Sequence, residues 1–241
     1  DAGFWSGDRA NAAIFPGTLN DGSWVEFGAV DTDNPTGSIN WGGDVKWGMN
    51  FSTADDNNDW VNMSWAKDGM GVAVGFLSSS TGGATPTDVS GFDLAWGSSM
   101  SFGELGVGYN SYDAGGNADA STELWANWRG DLGFWVFDQA KASFSMEDGG
   151  CDITGGDPDD AADDKDNCMS LDFDLFTHVT PTDGVDILIG WGFGYESWGV
   201  DGPPTDEDGS SMWLPNATLA VEAAMTDWAT VRANITQNHK L

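Results

Sequence analysis

Basic residues are scarce in this chain. Lysine and arginine together number 8 among 241 residues, whereas aspartate and glutamate number 39, and the formal net charge is −31. So acidic a protein repels polyanions, which argues strongly against nucleic acid or an anionic lipid surface as a partner. Salt screens such repulsion, so a saline habitat is one hypothesis for the acid excess. The sequence also lacks an apolar run of about 18 residues, which excludes a transmembrane helix.

Groups that usually carry catalysis are also few. His178 and His239 are the only histidines, and neither lies in a metal-binding or triad pattern. The chain has no G-x-S-x-G, no phosphate-binding loop and no C-x-x-C. The acidic segment 152–167 lacks the spacing of a calcium loop, so a solvated loop is expected there. The sequence therefore predicts no enzyme, no cofactor and no metal site.

Only two cysteines are present, and they bracket that acidic segment. Cys151 and Cys168 are predicted to form a disulfide in an oxidising compartment, with two separate thiols as the alternative. The opening Asp1-Ala2-Gly3 is typical of a mature protein after removal of a signal peptide.

Glycine and tryptophan are abundant, with 34 and 14 residues. This composition favours short strands separated by turns. Residues 183–197 alternate most clearly, with Val, Ile, Trp, Phe and Tyr on one side and mainly Gly, Asp and Glu on the other. The same period recurs in 43–52, 60–66, 71–77, 92–97, 169–178 and near the C-terminus. Two exceptions are Phe176, which falls on the polar side, and Asp138, whose place on the apolar side of 134–146 would need a bulge.

Connection lengths alternate along the chain. Short turns are predicted at Lys67–Gly69, Ser98–Ser101, Gly130–Gly133, Pro181–Gly184 and Met225–Asp227, and long polar loops at 53–59, 79–90, 111–120, 147–168 and 198–211. Short turns on one side and long loops on the other are typical of outer-membrane barrels. About twelve strands result, and the last would end on the loop side. Closure would then need a further descending strand, which this chain would lack, or a short first strand around Asn11–Phe15.

The sequence resembles bacterial outer-membrane porin-like β-barrels. The resemblance rests on the turn-and-loop rhythm over 22–237, the terminal hairpin at 217–237 and the opening segment DRANAAIFPGTLNDGSWVEFGAV. It implies one all-β domain over 1–241, an antiparallel up-and-down transmembrane barrel of about 12–14 strands, with 1–21 leading into the barrel. It also implies the bacterial outer membrane as location, outer-membrane lipid and lipopolysaccharide as surroundings, and small polar solutes or ions as passengers. A homo-oligomer is one alternative to a monomer. The chain ends without the usual terminal aromatic residue of such barrels.

In that barrel the polar side of each strand would face the lumen. The acid excess would favour the passage of cations. Four of the eight basic residues, Lys46, Arg129, Lys141 and Arg232, would face the lumen and oppose the acids at a constriction; stability alone would also keep these charges off the lipid face. Glycines 106, 108, 190, 192 and 194 would leave lumen space and argue against a plug. The tryptophans near strand ends would form interfacial girdles, with carbohydrate stacking as the alternative. The predicted pore-lining residues are Lys46, Asn50, Asn62, Asp93, Arg129, Lys141, Asp172, Asp174, His178, Asp186, Glu196, Glu222, Arg232 and Asn234.

Two other functions compete with a diffusion channel. One is a secreted, soluble all-β protein that binds or hydrolyses carbohydrate, whose aromatic face would pack against a second sheet. The other is a plugged barrel with a structural or adhesive role, mediated by its acidic loops.

Overall fold

A computed structural model describes residues 11–28, 35–52, 60–80, 88–113, 115, 120–151, 165–200, 207–226 and 229–240. In these residues the chain forms a single antiparallel sheet of thirteen strands, in which each strand pairs with its neighbours in sequence. The strands are β1 (Trp24–Gly28), β2 (Thr36–Gly42), β3 (Val45–Ser52), β4 (Trp60–Lys67), β5 (Met70–Ser80), β6 (Asp88–Met100), β7 (Gly103–Asp113), β8 (Ser121–Phe134), β9 (Phe137–Cys151), β10 (Lys165–Thr182), β11 (Val185–Val200), β12 (Glu207–Thr226) and β13 (Ala229–Lys240). The prediction of an all-β antiparallel fold is therefore confirmed.

The sheet is not closed into a barrel in the described residues. Its edges are β1 and β13, which are not paired with each other there. Because consecutive strands are antiparallel and thirteen is an odd number, β1 and β13 run in the same direction. Direct pairing of the two edges would therefore be parallel, and antiparallel closure would require one more strand between them.

Several short turns lie where the sequence places them. Asp68 and Gly69 join β4 to β5 with φ values of 51° and 76°, the two positive angles that a type I′ hairpin needs. Asp183 and Gly184 join β10 to β11. Neighbouring turns are tied together, since the Ser99 amide donates to the Gly69 carbonyl over 2.7 Å.

Other boundaries differ from the prediction. The turn expected at Gly130–Gly133 lies at Trp135 and Val136, because β8 continues through a register shift between Asp131 and Phe134. The turn expected at Ser98–Ser101 lies at Ser101 and Phe102, and a short turn between β2 and β3 was not predicted. Strands also extend into the loops predicted at 79–90, 111–120, 147–168 and 198–211, whose central parts lie outside the described residues, as does the whole of predicted loop 53–59. Met225 and Thr226 of the turn predicted at Met225–Asp227 belong to β12, and Asp227 lies outside the described residues.

The bulge predicted near Asp138 is present on the neighbouring strand: Asp131 pairs with Gln139 and Phe134 with Phe137, so β8 has one extra residue opposite Asp138. The recorded β9–β10 register ends at Gln139 opposite Phe176. Beyond that point, the Asp138 carboxylate accepts hydrogen bonds from the His178 backbone amide (2.9 Å) and pairs with the His178 ring over 3.0 Å. Side-chain bonds therefore replace sheet bonds between this end of β9 and β10.

The predicted first strand around Asn11–Phe15 is wrong. Asn11–Ile14 form a helical turn, α1, closed by the Phe15 amide donating to the Asn11 carbonyl. A 3-10 helix, η1 (Pro16–Asp21), follows directly and begins with proline, whose fixed φ suits a helix start. Neither helix in the described part of the chain has the length and apolar character required to span a membrane.

The α1–η1 segment packs on one face of the sheet, which we call the inner face. Asn40 of β2 donates to the backbone carbonyls of Leu19 (2.8 Å) and Gly22 (2.6 Å). A Cβ on Gly71 or Gly106 would overlap the carbonyl oxygen of Pro16 or Ile14, so glycine permits this close approach. The opposite side of the sheet is called the outer face.

Candidate functional site

The two faces of the sheet differ in chemistry. Register between adjacent strands aligns Met49, Met63 and Val74 on the outer face and Gly48, Ser64 and Ala73 on the inner face. Because side chains alternate along a strand, this division extends over the whole ladder. Apolar side chains on the outer face are extensively exposed, for example Trp47 (48%), Ile189 (50%) and Ile235 (70%).

Three tryptophans form a row on the outer face near the short turns. Trp41 lies opposite Trp47, and Trp47 lies opposite Trp65. Trp96 continues the same row beyond Val72. Not all tryptophans follow the predicted girdle, however, because Trp24 and Trp125 line a cavity on the inner side.

All fourteen predicted pore-lining residues share the inner face by register. Four of them line the same cavity, namely Asn50, Asn62, Asp93 and Arg232. The others are distributed along the remainder of the face. Whether this face lines a pore stays a prediction.

A row of four charged side chains, two bases between two acids, crosses four neighbouring strands of the inner face. Glu104 lies opposite Arg129, Arg129 opposite Lys141, and Lys141 opposite Asp174. Lys141 interacts electrostatically with both Asp174 and Asp172. Acids therefore flank the two bases of this row, as the sequence suggested for a constriction. Glu104 was not predicted, although its alternation with Leu105 gave a usable signal.

Arg129 connects this charged row to the N-terminal segment. Its side chain pairs with Glu104, and its guanidinium carbon lies 4.8 Å from the centre of the Phe15 ring. Both Arg129 (2% exposed) and Phe15 (1% exposed) are buried. The pKa of Asp21 in η1 is raised above its ordinary value. Partial burial is the main cause, the Glu104 carboxylate adds to it, and Arg129 opposes it in part. The N-terminal segment is thus anchored to the inner face by dispersion and charge together.

A second ion pair lies near the edge of the sheet. Arg232 of β13 pairs with Glu222 of β12, and both side chains are considerably more accessible than that of Arg129. Asp186 of β11 is directly opposite Glu222.

A cavity of about 910 Å³ lies between the N-terminal segment and the inner face. Ala12, Ala13, Ile14 and Leu19 form one wall, and residues of β1 to β8 form most of the remainder. Glu26 of β1 and Arg232 of β13 line the same cavity, although they belong to opposite edges of the sheet. The sheet therefore curves around its inner face and brings its two edges towards each other.

Polar groups in this cavity are arranged in a connected row. Asn50 lies opposite Asn62, and Asp93 lies opposite Asn110. With its nitrogen oriented towards Asp93, the Asn62 amide donates to both carboxylate oxygens, over 2.7 and 3.1 Å. Asn110 donates to Glu123 over 2.7 Å. Asn110 was missed from the sequence, although it alternates with Tyr109.

The glycines predicted to leave lumen space are instead covered by neighbouring groups. Gly106 lies beneath the Ile14 carbonyl, Gly108 beneath the Trp125 ring, and Gly190 beneath the Phe176 ring. The Asp174 carboxylate covers Gly192, and Asp172 and Trp213 approach Gly194. Phe176, the apolar exception in its strand, packs with Leu188 and Ala220 in a buried cluster on the inner face. Part of this face is therefore occupied by protein.

Metal binding and the disulfide were the remaining predictions. Among the described residues, no three His, Cys, Asp or Glu side chains cluster closely enough to hold a metal ion. Most of the acidic loop at 152–167 lies outside those residues. Cys168 is disulfide-bonded, and the sequence holds one other cysteine, Cys151, whose side chain lies outside the described part.

No protein-family model matches the chain, and neither curated proteins nor solved structures gave a significant match. The functional argument therefore rests on the residues themselves.

Proposed function

We propose that this chain is a porin-like β-barrel of the bacterial outer membrane that lets small polar solutes and ions pass, with a preference for cations. The observation that carries the proposal is the exposed apolar outer face opposite a polar inner face. A large uncovered apolar surface is unfavourable in water, whereas a bilayer supplies hydrocarbon for it. In the described residues no second sheet covers this face, which disfavours the soluble sandwich.

Two further features support a barrel. Single-sheet, neighbour-to-neighbour topology is that of an up-and-down barrel, and curvature brings Glu26 and Arg232 to one cavity. The row of Trp41, Trp47 and Trp65 resembles an interfacial girdle, since indoles favour the boundary between hydrocarbon and water. In this proposal the short turns lie on the periplasmic side and the acidic loops outside.

The proposed cation preference rests on the charges of the inner face. Besides the predicted acids, register places Glu104, Glu123 and Glu147 on this face. The bases Arg129 and Arg232 are each paired with a glutamate, so excess negative charge remains. A negative lumen attracts cations and repels anions.

Reconstitution into planar bilayers tests this function. We expect steady ion conductance, and a reversal potential in a salt gradient that indicates cation preference. The double variant Asp172→Asn/Asp174→Asn should reduce that preference, whereas Asp68→Asn, in a turn, should change it little. A monodisperse protein that is soluble without detergent would contradict the proposal, and so would conductance that prefers anions.

The α1–η1 segment favours a second candidate, a plugged barrel with a structural or adhesive role. This segment packs against the inner face, and an apolar cluster occupies another part of it. A plugged barrel would insert into bilayers and shift on gels when heated, yet it would not conduct. Conductance of the intact chain therefore separates the two candidates.

A further inference from the structure

The cavity on the inner face is enclosed by protein on several sides. The N-terminal segment forms one wall, the first eight strands form most of the others, and Arg232 lies at the far edge. Its volume of about 910 Å³ is within the range of small-molecule sites. Small residues such as Gly48, Ser64 and Ala73 line the cavity, and their short side chains leave its interior open.

Planar polar groups converge on this space. Asn50, Asn62 and Asn110 contribute carboxamides, each with both donor and acceptor atoms. Asp93 adds a carboxylate that already accepts two hydrogen bonds from the Asn62 amide. Ligand hydroxyls, which donate and accept at once, match this mixture of donors and acceptors.

Two indole rings line the same cavity. Trp24 donates its ring N–H to the Ser38 hydroxyl over 3.0 Å, which fixes the ring in the wall. The Trp125 ring packs over Gly108. Rigid aromatic surfaces bind the apolar C–H faces of a ligand at low entropic cost. These rings occur on the polar side of their strands, so contact with hydrocarbon does not account for them.

The charges argue against a strongly charged ligand. Glu26 and Asp93 line the cavity together with Arg232, which is paired with Glu222. Hydrogen bonds from the Asn62 amide partly compensate the negative charge of Asp93. An anion would face the overall charge of −31, whereas a cation would have to replace the amide donors that Asp93 already has.

From the combination of carboxamides, a carboxylate and two indole rings, we propose that this cavity binds a neutral, polyhydroxylated ligand, an oligosaccharide of two or three sugar units. The inference deepens the proposed function, because it names a class of solute that would bind to the inner face on its way through the channel. The site itself does not depend on conduction, so the two ideas can fail separately.

Direct binding is measured on the full chain in detergent micelles, by tryptophan fluorescence and calorimetry. The probes are maltotriose and cellotriose, with a polyethylene glycol of similar size and spermidine as comparisons. We expect saturable binding of at least one sugar and none of the glycol or the amine. Trp24→Leu and Asp93→Asn should each weaken binding by about tenfold, through loss of stacking and of hydrogen bonds respectively.

Matched controls separate loss of the site from loss of the fold. Trp191→Leu, on the exposed outer face, should bind sugar like the unaltered chain, and so should Asn167→Ala, because the Asn167 side chain is exposed and does not line the cavity. If Trp24→Leu fails to fold, Asn50→Ala tests the same cavity. Asn50 lines the cavity but its side chain is exposed, so its truncation should leave the fold intact. No sugar binding, equal binding by the cavity variants, or saturable binding of spermidine instead would each overturn the inference.

Conductance of the same preparations keeps the two proposals distinguishable. If the protein conducts but binds no sugar, the inference is wrong and the channel proposal is retained. A protein that binds sugar without conducting contradicts the channel and retains the site.

Discussion

At the residue scale, the surroundings of the Arg129 side chain predict a large contribution to stability. It is buried, pairs with Glu104 and covers the Phe15 ring of the N-terminal segment. Removing one partner of a buried pair leaves the other charge uncompensated. We expect Arg129→Gln to lower the free energy of unfolding by about 3 kcal/mol, measured by urea titration in detergent micelles.

Arg232→Gln provides the matched control for this residue. The Arg232–Glu222 pair is largely accessible to solvent, where an ion pair contributes about 0–1 kcal/mol. If Arg129→Gln and Arg232→Gln lowered the free energy of unfolding equally, the contact between Arg129 and Phe15 would make no contribution to stability. A double variant Arg129→Gln/Phe15→Leu should lose less than the sum of the two single variants, because both changes remove one contact.

At the element scale, the α1–η1 segment determines how much of the inner face is open. Gly71 allows the Pro16 carbonyl to approach the β5 backbone, and a Cβ there would overlap it. We expect Gly71→Ala to displace η1, with a loss of about 1–3 kcal/mol in unfolding free energy. In the proposed channel, single-channel conductance should rise as the segment moves away from the wall.

Gly133→Ala is the corresponding control, since a Cβ at Gly133 would have no neighbour within 4 Å. Its stability should change by no more than about 0.5 kcal/mol, and its conductance should be unaltered. If Gly71→Ala behaved in the same way, the close packing of η1 on β5 would be refuted.

At the scale of the whole molecule, the outer face separates a membrane protein from a soluble one. Ile189 lies on this face and is 50% exposed. In a bilayer, we expect Ile189→Arg to cost about 2–4 kcal/mol, because arginine would enter hydrocarbon. Folding into lipid vesicles, followed by urea titration, gives the value. Asn50→Arg, on the inner face, should cost much less, and near-equal small costs would place both faces in water.

The sequence predicted the all-β antiparallel sheet and which side chains share a face, whereas the sheet is not closed into the predicted barrel in the described residues. Phe176 and Asp138 are exceptions to the simple alternation for different reasons, since Phe176 packs with Leu188 on the inner face and β8 has an extra residue opposite Asp138. A strand was predicted around Asn11–Phe15, but Asn11–Ile14 form a helical turn against the inner face. Local preference is weak in so short a segment, and tertiary contacts decide it.

The sequence by itself determined which side chains share a face, because covalent geometry makes successive side chains of a strand point in opposite directions. It determined the hairpin at Asp68 and Gly69 for an equally local reason, since these residues tolerate positive φ. Only the tertiary structure decided that Phe15 meets Arg129, that Pro16 fits over Gly71, and that Trp24 and Asp93 border one cavity. These contacts join segments that are remote along the chain, and they depend on the curvature of the complete sheet, which no local pattern encodes.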